Sequence, residues 1–154
     1  MVWSCLVSIL PGMAQTEKLT DYVNPFVGTD GYGNVYPGAQ IPFGGIQISP
    51  DTDSRFYDAA SGYKYNHLTL MGFSLTHLSG TGIPDLGDFL FIPGTGEMKL
   101  EPGTHEDPDQ GYRSRYSHDK EWASPNYYAV ELADYGVKAE MTSGVRSGMF
   151  RFTY

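Results

Sequence analysis

The fold class is decided by YYAVELADYGVKAEMT, residues 127–142. Residues 127–133 and 137–142 both alternate in side-chain character, and Asp134-Tyr135-Gly136 between them has the composition of a turn. Alternation with a period of two is typical of a strand with one buried face. MFRFTY at 149–154 follows a Ser/Gly-containing connection and alternates again. The stretch therefore predicts three antiparallel strands in a meander.

The remainder of the chain has the composition of short strands joined by tight connections. The whole chain of 154 residues includes 19 Gly, 10 Pro and 12 Tyr, with 40% apolar and 18% charged residues. A chain of this length is long enough to bury one core. IPFGGIQIS at 41–49 predicts a strand, and FLFI at 89–92 predicts a second one buried on both faces. With no amphipathic helix longer than two turns, the sequence indicates an all-β domain.

Charge and cysteine content exclude several classes of function. The net charge is −8 and no cluster of Lys or Arg occurs, so nucleic acid is not an expected partner. The single cysteine, Cys5, lies in the apolar leader at 1–14, which predicts a secretory signal peptide cleaved after Ala14. A merely hydrophobic tail is the alternative. The leader is too short to span a membrane, and it indicates a secreted or periplasmic protein.

Catalytic and metal-binding patterns are absent from the sequence. Asp85 and Asp88, like Asp51 and Asp53, are close enough in sequence to suggest an acid/base pair, but Asp beside Pro or Gly commonly caps a turn. The four histidines follow no spacing of a metal site. We therefore predict no catalytic residue and no metal ligand in this chain.

Loops rich in Tyr, His and Gly suggest a sugar-binding surface. Sugars bind by hydrogen bonds to their hydroxyls and by stacking of their C–H faces on aromatic rings. The side chains that could supply such contacts are Tyr32, Tyr36, Tyr63, Tyr65 and His77. Each of them alone is more typical of a half-buried core or a surface aromatic than of a binding site. The residues by themselves support a soluble β domain that could bind sugar.

Three consecutive blocks carry a resemblance to a known family. They are DYVNPFVGTDGYGNVYPGAQIPFGGIQISPDT at 21–52, SGYKYNHLTLMGFSLTHLSGTGIPDLGDFLFIP at 61–93 and YRSRYSHDKEWASPNYYAVELADYGVKAEMTSGVRSGMFRFTY at 112–154. In this order and spacing they resemble the opening of the family 92 glycoside hydrolases, calcium-dependent exo-acting α-mannosidases. The resemblance covers residues 21–154.

The resemblance implies both an architecture and a chemistry. It implies an antiparallel β-sandwich at 21–154, the N-terminal domain of an enzyme whose (α/α)₆ barrel carries the general acid, the general base and the calcium environment. This chain would be the first part of that sandwich, truncated at its C-terminal end. The implied reaction is inverting hydrolysis of terminal α-mannose, with mannose-containing glycans and the missing barrel domain as partners. Calcium would belong to the full-length parent enzyme, with none bound by this fragment.

The same resemblance selects three substrate-binding candidates. In the family, loops of the N-terminal sandwich approach the sugar pocket, and Gly31, Tyr63 and His77 lie in the matching blocks. Packing between sandwich and barrel is the alternative role for these residues. Two alternatives to an enzyme fragment stay open at this point: a stand-alone carbohydrate-binding module, and a structural domain whose aromatic residues fill a core.

Overall fold

The structure, a computed structural model, describes residues 17–53 and 57–154. The predicted signal peptide at 1–14 lies outside the described residues. Apart from strands, the described ranges contain only 3-10 helices of three or four residues, at Leu19–Tyr22, Tyr57–Ala59, Pro108–Gln110 and His118–Lys120. Within these ranges no helix is apolar and long enough to cross a membrane.

Ten strands form two four-stranded sheets and one small ribbon, and every pairing is antiparallel. The first sheet has the order β1-β2-β4-β5, with β1 at Ala39–Gln40, β2 at Gln47–Asp51, β4 at Gly72–Ser74 and β5 at Leu90–Phe91. The second has the order β10-β9-β8-β7, with β7 at Glu121–Ser124, β8 at Tyr127–Leu132, β9 at Val137–Ser143 and β10 at Gly148–Thr153. The ribbon pairs β3 (Thr69–Leu70) with β6 (Ser114–Arg115).

The second sheet confirms the predicted meander. Tyr128 on β8 lies opposite Met141 on β9, which lies opposite Phe150 on β10. Val130 and Ala139 form the next pair on the same face. Because side chains alternate between the two faces of a strand, this register places the apolar residues of three strands on one face.

The two sheets pack face to face. Ile48 of β2 and Phe73 of β4 belong to the same buried cluster as Tyr128, Val130 and Met141 of the second sheet. Full burial of one such side chain contributes about 1.5–3 kcal/mol. The molecule is therefore an all-β antiparallel sandwich, as expected.

Two strand predictions are wrong in detail. Residues 41–49 do not form one strand, because β1 ends at Gln40 and β2 begins at Gln47. Between them Phe43 adopts a left-handed backbone conformation with φ of 60°, and the amide of Gly44 donates to the carbonyl of Ile41 at 3.1 Å. A hairpin connection replaces the predicted strand at this point.

The apolar run at 89–92 does form a strand, but it is not buried on both faces. Leu90 and Phe91 are 38% and 45% exposed, because β5 is an edge strand that pairs only with β4. Phe91 lies 5.6 Å from Phe150, and the rings of Phe150 and Phe152 stack at 5.7 Å. Phe89, just before β5, is 70% exposed, and we call Phe89, Phe91, Phe150 and Phe152 the phenylalanine face.

We predict that the phenylalanine face causes self-association, since contiguous apolar surface of this kind is typical of interaction sites. Replacing Phe89 with Ser removes an exposed ring, so it should lower self-association while changing the free energy of unfolding by less than about 0.5 kcal/mol. Sedimentation velocity over a concentration series measures the effect. The matched control is Phe43→Ser, which removes a fully exposed ring from the β1–β2 connection. Equal association of both variants would contradict the prediction.

Candidate functional site

A buried ion pair joins two neighbouring strands of the first sheet. Nε2 of His77 lies 3.1 Å from Oδ1 of Asp51, at the end of β2. The hydroxyl of Ser74 on β4 donates to Oδ2 of Asp51 at 2.6 Å and lies 3.0 Å from Nε2 of His77. Nδ1 of His77 donates to the carbonyl oxygen of Gln47 at 2.7 Å. All polar atoms of the histidine ring and the carboxylate are therefore engaged with each other or with β2 and β4.

Hydrogen-bond accounting favours the imidazolium form of His77. A carbonyl oxygen only accepts, so Nδ1 carries a proton. The hydroxyl proton of Ser74 points to Asp51, so Nε2 faces two acceptors and also carries a proton. Burial lowers the pKa of His77, but the Asp51 carboxylate and the Gln47 carbonyl outweigh it, so the pKa is raised above the ordinary value of 6.5.

Gly62 fits directly against this pair. It has a φ of +89°, and a Cβ atom there would lie 2.4 Å from Oδ1 of Asp51. Its carbonyl accepts from the amides of Thr52 and Asp53, at 2.7 and 3.2 Å. A small cavity of about 100 Å³ opens beside the pair and is also lined by Asp85. The close approach of backbone to the ion pair thus requires glycine at position 62.

Two exposed tyrosines lie side by side on the loop surface. Tyr32 is 79% exposed and Tyr57 is 62% exposed, and their ring centroids are 6.1 Å apart at an interplanar angle of 54°. Nζ of Lys64 lies 5.9 Å from the centre of the Tyr32 ring. We call Tyr32 and Tyr57 the tyrosine pair. Exposed rings in this arrangement are suited to the apolar face of a sugar.

Three loops meet at the tyrosine pair. A Cβ atom on Gly82 would lie 1.8 Å from Cε2 of Tyr57, so this ring rests directly on the backbone of Gly82. The amide of Gly80 donates to the carbonyl of Asn34 at 2.6 Å, and Lys64 donates to the carbonyl of Gly31 at 2.9 Å. The first bond joins the loops at 28–34 and 77–82, the second joins 28–34 to Lys64, and the contact of Tyr57 with Gly82 joins 57–62 to 77–82.

A second buried carboxylate lies between the sheets. Glu121 faces inward because β7 pairs it with Val130, and it accepts from the hydroxyls of Tyr63 at 3.0 Å and of Tyr128. Nδ1 of His118 lies 2.6 Å from its other oxygen. Burial, followed by Tyr116 and Glu121 nearby, raises the pKa of Tyr63 far above that of an ordinary phenol. Tyr63 is therefore a hydrogen-bond donor inside the core.

A third polar cluster surrounds the buried guanidinium of Arg113. Arg113 donates to the carbonyl of Thr52 at 2.6 Å, and Nδ1 of His105 lies 2.8 Å from the hydroxyl of Thr69. Nε2 of His105 lies 3.6 Å from the carboxylate of Asp53. Burial, and then the charge of Arg113, lower the pKa of His105 to about 4. The cluster fixes the end of β2 against β3 and is structural.

The aspartates near the buried pair have different environments. Asp85 accepts from the amide of Leu86 at 2.8 Å, in agreement with the predicted turn-capping role. Asp51, at the end of β2, is buried in an ion pair with His77, and Asp53 is buried beside His105, so neither caps an exposed turn as predicted. Across the described ranges, no three His, Cys, Asp or Glu side chains converge on a point that could hold a metal ion.

The structure places the three substrate-binding candidates at different depths. Gly31 lies on the surface, next to Tyr32. Tyr63 is 1% exposed and His77 is 6% exposed, each within one of the buried networks. Sequence reasoning missed Tyr57 as a surface ring, although its position before the Ser61-Gly62-Tyr63 block could have suggested it. The partners Asp51 and Glu121 carried no local signal.

Comparisons with known proteins give consistent matches. Residues 22–154 match the glycosyl hydrolase family 92 N-terminal domain. The chain is 30% identical over 135 residues to an uncharacterized secreted glycosidase of Arthroderma benhamiae, covering 86% of this chain and 17% of that protein. It is similar to the structure of the family 92 glycosyl hydrolase ccman5, with 32% identity, a TM-score of 0.72, and 88% of this chain and 19% of that one covered.

A second solved structure has the same fold. It is the family 92 inverting mannosidase BT2199 from Bacteroides thetaiotaomicron VPI-5482, with 24% identity and a TM-score of 0.62, and the match covers 90% of this chain and 18% of that one. The chain thus spans less than one fifth of the length of each of these three proteins.

We predict that Glu121→Gln lowers the free energy of unfolding by about 2–3 kcal/mol, because a buried charge that accepts several hydrogen bonds is replaced by a neutral amide. Urea denaturation measures the change. Glu131→Gln is the matched control, since Glu131 pairs with Lys120 on the exposed side of the second sheet. An exposed pair contributes less than about 1 kcal/mol. Equal losses in the two variants would contradict a special role for Glu121.

Proposed function

This chain belongs to glycosyl hydrolase family 92, as its N-terminal domain, and from that premise we propose that it forms the sugar-facing wall of a secreted, exo-acting, inverting α-mannosidase. The family acts on glycans, with the N-terminal domain packed on a catalytic domain. The mannosidase activity is proposed on the resemblance of the blocks at 21–52, 61–93 and 112–154 to the α-mannosidases of the family. Export is proposed from the leader at 1–14 and from the relative named as a secreted glycosidase.

The tyrosine pair is the observation that carries this proposal. Tyr32 and Tyr57 are exposed on a surface to which three loops converge, with Gly82 directly beneath one ring. Sugar-binding surfaces combine aromatic rings with nearby backbone polar groups, because a pyranose has an apolar face and a polar rim. The loops at 28–34 and 77–82 supply such backbone groups at the edge of the pair.

The three predicted substrate-binding residues take different roles in this proposal. Gly31 borders the tyrosine pair and would contact the glycan directly. Tyr63 and His77 would contribute to substrate binding from below, because their side chains lie beneath the loop surface in hydrogen-bonded networks. A direct contact with the sugar would require the loops above them to move.

Catalysis and calcium binding are assigned to the rest of the parent enzyme. Inverting hydrolysis requires two carboxyl groups about 6.5–9.5 Å apart on opposite sides of the glycosidic bond. In the described part of this chain, the buried carboxylates Asp51, Asp53, Glu121 and Glu140 all lie against partners within the sandwich. No three His, Cys, Asp or Glu side chains in the described ranges converge to hold a metal ion, and the proposal therefore places the calcium site in the catalytic domain.

The phenylalanine face supports the other half of the proposal. A catalytic domain that packs on this sandwich needs an apolar contact surface. Phe89 and Phe91 at the edge of the first sheet, with Phe150 of β10 against Phe91, offer one. Interfaces between domains of one chain typically bury 600–1,500 Å². We propose that the missing barrel domain, or further sandwich strands that precede it, cover this face.

A stand-alone carbohydrate-binding module is the second candidate function. It is favoured by one observation, which is that the tyrosine pair and the three loops around it lie within this chain. Such a module would bind sugar tightly without any other domain. The wall of an active site would bind a single mannoside only weakly, because most contacts come from the catalytic domain.

The test is titration of the purified chain with methyl α-mannoside and α-mannobiose, followed by NMR. We expect weak binding, with a Kd on the order of 1 mM or above. Tyr57→Ala should weaken binding about fivefold, since one stacked ring contributes about 1 kcal/mol. The matched control is Tyr22→Ala, which removes an exposed tyrosine that pairs with Glu17 instead.

Two outcomes would contradict the proposal. The first is that saturating α-mannobiose causes no shifts around Tyr32 and Tyr57, or that Tyr22→Ala weakens binding as much as Tyr57→Ala. The second is release of the aryl group from an aryl α-mannoside by the purified chain, which would show that a catalytic pair is present in it. A Kd in the micromolar range would favour the stand-alone module.

A further inference from the structure

Two separate segments lead from the buried Asp51–His77 pair to the ring of Tyr57. One runs through Gly62, which fits against the pair, to the 3-10 helix at Tyr57–Ala59 that carries the ring. The other begins at His77 itself and runs to Gly82, which touches the ring. Both segments start at the same ion pair and end at the same side chain.

The first connection is made by backbone. Besides accepting from Thr52 and Asp53, Gly62 donates its amide to the carbonyl of Ala59 at 2.9 Å. The end of β2, the ion pair and the segment at 57–62 are therefore joined by short hydrogen bonds. Gly62 and the Asp51 carboxylate are too close to admit a Cβ atom between them, so a shift of the carboxylate toward Gly62 would displace this segment.

The second connection is made by the loop at 77–82. His77 is held at its start by Gln47, Asp51 and Ser74, and it forms a bridge with Leu86. His77 is held on the first sheet and Leu86 is held by its bridge to His77, so the position of Gly82 in the loop between them depends on where His77 is anchored. The ring of Tyr57 in turn depends on Gly82.

We propose that the Asp51–His77 ion pair is a positioning device that sets the place of Tyr57 in the tyrosine pair. The inference rests on the proposed function for its use with sugars, but its structural content is independent of it. Asp51 and His77 are positioning residues, because they act on the surface through Gly62 and Gly82. The buried charges thereby give the loop surface one conformation instead of several.

The first test compares amide hydrogen exchange in the full chain and in Asp51→Asn, which keeps the shape of the side chain and removes its charge. We expect exchange at 57–62 and 77–82 to become at least tenfold faster, with β8 and β9 unchanged. Glu140→Gln is the matched control, because it removes the carboxylate of an ion pair with Arg151 on the second sheet. Unchanged exchange in both segments, or a uniform increase over the whole chain, would overturn the proposal.

The second test needs no substitution and therefore does not depend on the folding of a variant. The amide resonances of Gly62 and Gly82 should titrate together with the ring of His77. The midpoint should lie above pH 6.5, which is the ordinary pKa of a histidine side chain. The other ionisable groups facing His77 are Asp51, Asp85 in the shared cavity, and Tyr36, whose ring lies 5.0 Å away. Burial raises the pKa of Tyr36 to about 12, outside this range. Glycine resonances that do not follow His77 would overturn the proposal.

The raised pKa of His77 also determines how the stability of the fold changes with pH. Because the pKa of His77 is higher in the folded than in the unfolded chain, its contribution to stability is present below 6.5 and is lost as the pH rises through the folded-state value. In the variant Asp51→Asn, the stability should no longer fall as the pH rises through this range. If the native chain binds neither methyl α-mannoside nor α-mannobiose while the exchange and titration results hold, the proposed function fails and the positioning role stands.

Discussion

Glu121 points into the space between the sheets, and much of the second half of the molecule is arranged around its carboxylate. The register of β7 with β8 leaves no other direction for the side chain, since period-two alternation puts it on the face of Val130. A charge in that position is tolerated only when its oxygens accept hydrogen bonds. Tyr63, Tyr128 and His118 provide them, and this requirement holds the segment at 61–65 against the second sheet.

Asp51 has the corresponding position in the first sheet. Its partners come from β4 and from His77, and the charge of the histidine compensates that of the carboxylate. Removing two opposite charges from water is costly, and the net stabilisation by a buried pair is small. The benefit lies in geometry, because a charge-assisted network allows few alternative arrangements. Asp51 lies against Gly62, and Glu121 accepts from the neighbouring Tyr63, so both buried carboxylates contact the segment that follows Tyr57.

The sequence predicted the parts of the structure that depend on local pattern. Alternation of apolar and polar residues at 127–142 and 149–154 predicted β8, β9 and β10. The alternation is present because one face of that sheet is buried and the other is not. The hairpin between β1 and β2 was not predictable, because the left-handed conformation of Phe43 has no signal in a β-rich sequence. The buried networks were out of reach for another reason. Asp51 and His77 are 26 residues apart and Tyr63 and Glu121 are 58 apart, and no local rule pairs residues at such distances.

The same networks give the buried carboxylates of this domain a structural role. A general acid or base must reach the substrate and must exchange its proton at the working pH. Asp51 and Glu121 are both buried, and their oxygens accept hydrogen bonds from side chains of the sandwich itself. A carboxylate that orders loops has to keep its partners throughout the reaction, whereas a catalytic one has to change them. The two tasks are therefore incompatible in one residue, and Asp51 and Glu121 are placed for the structural one.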